Sequence, residues 1–183
     1  MSVSIVYETH SLTEDNEAAL ATGWLPGRLS VEGRRLAAEL GARRRNDGLD
    51  AVFCSDLGRA AETARIAFEG SPIPVLHDWR LRECNYGDLN GCPVETLNRV
   101  RRDHVDMPFP NGQSYREVVE LTRYFISDLM HAFDDKRVCV VGHSANKWAM
   151  DVLLLGKKLE DLVTAPFDWQ EGWEYVVNRP ATP

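Results

Sequence analysis

The sequence predicts an α/β fold, a three-layer α/β/α sandwich with a mostly parallel central sheet and an antiparallel edge strand. Three observations predict it. Short β-rich apolar runs at 3–7, 51–54 and 138–141 alternate with stretches of helical periodicity, the pattern of βαβ units that feed a parallel sheet. A chain of 183 residues with 44% hydrophobic and 27% charged content fits one globular domain, residues 1–183, with an ordinary core. His10 and His143 each directly follow one apolar run, and Ser55, Asp56 and Arg59 follow another. In open α/β sheets ligands bind beyond the carboxyl ends of the strands, so these positions are the first candidates for chemistry.

Residues 3–7 form the first strand. Over 30–46, Val31, Leu36, Ala37, Leu40 and Gly41 keep helical spacing, and Arg43, Arg44 and Arg45 fall near the carboxyl end. Cations there suit the helix dipole, so the cluster reads as a solvated helix end rather than a binding patch. Residues 51–54 form a second strand. The helix after it places Leu57, Ala60, Ala61, Ala64, Ala67 and Phe68 on one face, with Ser55 or Asp56 as N-cap and Arg59 in the first turn. Pro72, Pro74, Pro93, Pro108 and Pro110 punctuate an irregular stretch, 71–111, that holds a short strand at 73–76 and covers the mouth of the site. Ser114 and Glu117 make a capping box for a long amphipathic helix carrying Val118, Leu121, Phe125 and Leu129. Residues 138–141 form a buried strand, followed by a helix with Trp148, Ala149 and Val152. Alternating Trp173, Tyr175 and Val177 make 171–177 the edge strand.

Composition narrows the function classes. Twenty-eight acidic against 21 basic residues leave a net charge of −7, which repels nucleic acid and anionic membranes on average. An anionic ligand must therefore meet a local basic pocket. No apolar stretch approaches the length of a membrane span, and residues 2–6 carry no basic flank, so the expected location is the cytoplasm. Cys54, Cys84, Cys92 and Cys139 lack paired metal-ligand spacing and read as reduced, packed thiols.

The chemistry-bearing residues fall into four groups: His10 with Thr13 and Asn16; Ser55-Asp56-Leu57-Gly58-Arg59 with Thr63-Ala64; Leu81-Arg82-Glu83 with Gly87 and Gly91; and Val141-Gly142-His143. Their order and spacing resemble the histidine phosphatase superfamily, in its phosphoglycerate-mutase-like branch, over nearly the whole chain. The resemblance implies hydrolysis of a small phosphorylated metabolite. His10 would take the phosphoryl group, Arg59 and His143 would neutralise it, and Glu83 would act as general acid on the leaving oxygen. Asn16, Thr13 and Ser11 would join the substrate-binding set. A neutral imidazole is a competent nucleophile near pH 7, and phosphoryl transfer asks mainly for positioning and positive charge around the phosphate oxygens. The implied scheme calls for no metal and no cofactor.

Two departures accompany the resemblance. Thr9 and Ser11 flank His10 where the family has Arg-His-Gly, so one phosphate-binding arginine is absent, and Ser144-Ala145 replaces the usual small glycines after His143. A charge-assisted hydrogen bond is worth about 1.5–3 kcal/mol, so another basic group must compensate or catalysis weakens. Arg28 and Arg82 are the candidate substitutes. Thr13 and Asn16 are equally suited to capping a helix.

Three other functions compete. Thr9 admits a family member that binds a phosphate ligand, or regulates, without efficient turnover. Gly142-His143-Ser144-Ala145-Asn146 resembles a nucleophile elbow, yet Asn146 replaces its second glycine and no histidine follows Ser144. A mutase of this branch carries a longer segment after the acid than the stretch between Glu83 and Gly112, which favours hydrolysis.

Overall fold

The computed structural model describes residues 2–178. Its main sheet has five strands, β1 (Ser2–Thr9), β3 (Ala51–Cys54), β4 (Val75–His77), β6 (Arg137–Gly142) and β7 (Trp173–Asn178), in the order β4-β3-β6-β1-β7. The first four in that order are mutually parallel, and β7 runs antiparallel to β1 at the edge. The predicted sheet is thus the observed one.

Alternation along the strands builds two cores, because successive side chains point to opposite faces. Val6, Val52, Cys54, Cys139 and Val141 pack under α2 (Val31–Arg44) and α3 (Gly58–Phe68), which contribute Leu40, Ala60, Ala64 and Phe68. Ile5, Tyr7, Val138 and Val140 meet α5 (Tyr115–Ala132) and α6 (Ser144–Leu155) on the other face, through Phe125, Leu129 and Met150. The capping box that opens α5 is present: Glu117 N–H donates to Ser114 Oγ at 3.2 Å, and Ser114 N–H to Glu117 Oε2 at 2.6 Å.

Several boundaries differ from expectation for identifiable reasons. The N-cap of α3 is Leu57, not Ser55 or Asp56. Ser55 Oγ accepts from Leu57 N–H at 3.2 Å in a tight turn, and Asp56 is held by Arg82, so the helix starts later. Strand β4 begins at Val75 because Pro72 and Pro74 have no N–H for the ladder, although the Pro74 carbonyl still accepts from Val52 at 2.9 Å. The stretch 71–111 is more regular than its prolines suggest. A short ladder joins β2 (Leu20–Ala21) to β5 (Cys92–Pro93), and α4 (Val94–Val100) follows, packing Leu97 into a third core with Tyr86, Phe109, Tyr115 and Trp148.

The arginines ending α2 are not a solvated helix end. Arg44 Nε donates to Glu8 Oε1 at 2.7 Å, and that carboxylate is only 2% exposed. Arg45 Nε donates to the Ala67 carbonyl at 2.6 Å, tying α2 to the end of α3. Cys54, Cys84 and Cys139 are buried and Cys92 half-buried, all as free thiols. Among the described residues no helix is long and apolar enough to cross a membrane.

Gly41 sits where α2 and α3 touch, and a Cβ there would lie 2.1 Å from the Ala67 carbonyl oxygen. Ala in a helix interior normally gains about 1 kcal/mol over Gly, whereas overpacking costs about 1–3 kcal/mol. Gly41→Ala is therefore expected to lower the urea midpoint, and a raised midpoint would contradict the close approach of the two helices.

Candidate active site

The sheet register brings the two histidines together. Thr9 pairs with Gly142 across β1 and β6, so His10 and His143 leave the sheet side by side. His10 N–H continues the ladder to the Gly142 carbonyl at 2.8 Å, and the ring centroids lie 5.0 Å apart. His10 Nδ1 lies 2.8 Å from the Ser11 carbonyl, which can only accept, so Nδ1 carries the proton and Nε2 keeps its lone pair. Arg59 Nε, from the first turn of α3, donates to that Nε2 at 3.3 Å.

Arg59 is 2% exposed and has no carboxylate within ion-pair distance among the described residues. Its Nη2 donates to the Gly23 carbonyl at 2.8 Å and its Nη1 to the Leu25 carbonyl at 3.2 Å. His143 is fully buried, and neither ring nitrogen has a hydrogen-bond partner in the protein. Its backbone is fixed instead: Tyr7 Oη donates to the His143 carbonyl at 2.6 Å, and His143 N–H donates to Asn146 Oδ1 at 3.3 Å. Burial, and then the Arg59 charge, push the His10 pKa down to about 3. Burial, then Arg59 and His10, also hold the His143 imidazole well below its ordinary range. Both rings are consequently neutral near pH 7, and the guanidinium carries the charge. A buried cation without a counter-ion costs several kcal/mol, so this set is electrostatically complementary to an oxyanion.

Glu83 lines a cavity that His10 also lines, and it is 7% exposed. Its Oε1 accepts from Cys84 N–H at 2.8 Å and Ala145 N–H at 3.3 Å, and its Oε2 from Ser144 Oγ at 2.9 Å. The Ser144 hydroxyl therefore meets a carboxylate rather than an imidazole, the opposite of what a serine nucleophile requires. Asn16 lines the cavity. Its Oδ1 accepts from Thr13 N–H at 3.1 Å, which leaves the amide NH2 as the group able to donate to a ligand. Thr13 is buried and caps the short helix α1 (Glu14–Glu17) by accepting from Asn16 N–H at 3.0 Å, so it positions Asn16 rather than lining the cavity. Ser11 lines the cavity but donates its hydroxyl to the Gly33 carbonyl at 2.6 Å, and its own carbonyl orients His10.

Neither expected arginine substitute reaches the cavity. Arg28 is exposed, and its side chain does not line it. Arg82 is held by Asp56 at 2.7 and 2.6 Å and lies over the Trp24 ring at 4.7 Å, outside the cavity lining. Two arginines not expected at the site do line it. Arg43 makes only long contacts, 3.7 Å to Glu8 and 3.6 Å to Glu171, and its buried Nε has no partner. Arg101 also buries an unpartnered Nε, with its guanidinium 5.3 Å from the Trp148 ring centroid. Nothing in the local sequence signalled Arg101, which follows the unforeseen α4, while Arg43 was masked by a pattern that suits any helix end. The cavity measures ≈ 530 Å³. No group of three or more His, Cys, Asp or Glu side chains arranged to hold a metal ion occurs among the described residues.

Comparison with known proteins gives the family and the fold. The 2,3-bisphosphoglycerate-dependent phosphoglycerate mutase of Mesorhizobium japonicum is 29% identical over 178 residues, covering 89% of this chain and 86% of that protein. Phosphoglycerate mutase 1 of Saccharomyces cerevisiae is 40% identical over 101 residues, but the match spans 52% of this chain and only 41% of the yeast protein. Among solved structures, Bacillus stearothermophilus YhfR superposes with a TM-score of 0.83 at 24% identity, covering 98% of this chain and 92% of that one. The alpha-ribazole phosphatase of Shigella flexneri gives 0.77 at 21% identity, covering 98% and 95%, a likeness of fold alone. The sequence pattern of the histidine phosphatase superfamily (branch 1) matches residues 9–169, and the chain belongs to that family.

Proposed function

We propose that the chain is a phosphomonoester hydrolase that works through a phosphohistidine at His10. The observation that carries this reading is the buried Arg59 guanidinium, without a carboxylate partner among the described residues, beside one imidazole whose unprotonated Nε2 accepts from Arg59 alone and another with both nitrogens unpartnered. In the first step His10 Nε2 attacks phosphorus, the bond to the ester oxygen breaks, and Glu83 gives its proton to the departing alcohol. Arg59 and His143 donate to the phosphoryl oxygens as charge builds there. In the second step water attacks the phosphohistidine, Glu83 takes the water proton, and phosphate leaves with His10 restored. The Ser144 hydroxyl can donate to the Glu83 carboxylate or turn to accept from the carboxylic acid, so it holds the group in both states.

The substrate in this reading is a small phosphorylated metabolite that fits the ≈ 530 Å³ cavity, with Asn16 donating to it and Arg101 in place to meet a further polar group. The short segment between Glu83 and Gly112 favours hydrolysis over transfer to a second substrate. Net charge −7 argues against nucleic acid and anionic membranes as partners, and free thiols suit the cytoplasm. A second reading, ligand binding without efficient turnover, draws on Thr9, whose hydroxyl cannot supply the positive charge of the family's arginine.

Incubation with a panel of 32P-labelled phosphomonoesters in EDTA is expected to give turnover and an acid-labile phosphoenzyme. His10→Ala should abolish the label and lower kcat/KM by at least about 10³-fold. Label persisting in His10→Ala would contradict the assignment, and binding without label or turnover would favour the second reading.

The lowered histidine pKa values also fix a pH dependence. Unfolded imidazoles titrate near about 6.5, so below that pH the unfolded chain binds more protons and stability falls with pH, down through about 3 for His10. Urea unfolding at pH 7, 5.5 and 4.5 should show this loss, with a shallower slope in His10→Gln. Equal slopes would show that His10 is not held neutral by the fold.

A further inference from the structure

The wall of the cavity next to the nucleophile contains an indole that the phosphoryl chemistry does not use. Trp169 lies between α7 (Leu159–Thr164) and β7, and it is 57% exposed although it lines the cavity. Its Nε1 donates to Thr9 Oγ1 at 3.2 Å, so the ring is pinned by its polar edge to the residue immediately before His10. Phe167 beside it is locked between Trp148 and Trp173, at centroid distances of 6.4 and 5.9 Å, whereas no aromatic ring among the described residues packs against Trp169 itself. Leu36 and Leu40 of α2 add further apolar surface to the same cavity.

Thr9 is what makes this arrangement available. An arginine has five donors and no acceptor, so a chain with the family's Arg-His-Gly could not accept the indole N–H through that side chain. The exchange of Arg for Thr turns position 9 from a phosphate donor into an anchor for an aromatic wall. A substrate whose phosphate is fixed at His10 must extend its alcohol portion into the cavity where the indole stands, and exposed aromatic surface at such a point favours an apolar, planar body.

We propose that Trp169 selects the leaving group and that the substrates are phosphomonoesters whose alcohol portion carries an aromatic ring. The inference rests on the phosphate-site reading above and adds to it the class of alcohol. Because aryl esters also differ in chemical reactivity, the test uses binding of non-hydrolysable phosphonates measured by titration calorimetry. Wild-type protein is expected to bind benzylphosphonate about 10-fold or more tightly than methylphosphonate. Trp169→Ala should reduce that preference below about 3-fold while leaving methylphosphonate affinity unchanged, and Trp169→Phe should retain most of it. Methylphosphonate binding with no preference for the benzyl compound, or a preference that survives Trp169→Ala, would overturn the role of Trp169 and leave the phosphate site standing. Failure of both phosphonates to bind wild-type protein would overturn the site and this inference together.

Discussion

The arrangement of this molecule depends on a guanidinium buried without a carboxylate partner among the described residues. Arg59 gives two donors to the carbonyls of Gly23 and Leu25 and a third to His10, which ties the loop after β2, the first turn of α3 and the end of β1 to one point. Gly23 can present its carbonyl this way because it adopts φ 55°, and a Cβ there would lie 1.8 Å from Asn90 Oδ1. The Asn90 oxygen accepts from Tyr86 and Trp24 N–H groups at 3.1 and 3.2 Å, so the segment following Glu83 is organised around the same loop. With the cation fixed, burial and the Arg59 charge drive both neighbouring imidazoles neutral, and the site retains a positive charge that an oxyanion can answer.

The sheet supplies the other half of the geometry. Parallel pairing of β1 with β6 and of β6 with β3 aligns three strand ends, and the residues just beyond them are His10, His143 and Ser55. A one-residue slip would exchange core and surface faces on every strand, so the packing of Val6, Val52, Val140 and Val141 in the two cores also fixes the relative placement of the histidines. The Glu8–Arg44 ion pair holds the end of β1 to α2 just before the nucleophile.

The fold was legible where periodicity alone decides structure: the parallel strands, α2 and α3 follow from apolar spacing, and α5 from spacing and its capping box. The pieces that were not legible are those set by long-range contacts. The two-residue ladder between β2 and β5 pairs segments about seventy positions apart, and α4 is too short and too weakly patterned to stand out from a proline-rich stretch. At the site, position relative to a strand end singled out His10, His143 and Arg59, and the family resemblance added Glu83; the structure sets His10 and Glu83 in the lining of one cavity, with Arg59 and His143 buried beside His10. Arg28 and Arg82 were misplaced because sequence proximity to the site says nothing of where a long side chain finds its partner. Asp56 takes Arg82, and the contributions of Arg43, Arg101 and Trp169 arise from elements whose proximity only the tertiary fold creates.

Thr9 illustrates what one departure from a family pattern changes: the position carries no cation and accepts from the Trp169 indole, while Arg59 is the cation hydrogen-bonded to His10. The protonation state of the two rings tests that arrangement most directly. In 15N NMR spectra of histidine-labelled protein at pH 7, both His10 and His143 should appear as neutral imidazoles, His10 as the Nδ1–H tautomer, with both ring signals shifting on addition of orthovanadate. An imidazolium at either position, or vanadate addition that leaves both rings undisturbed, would contradict the account.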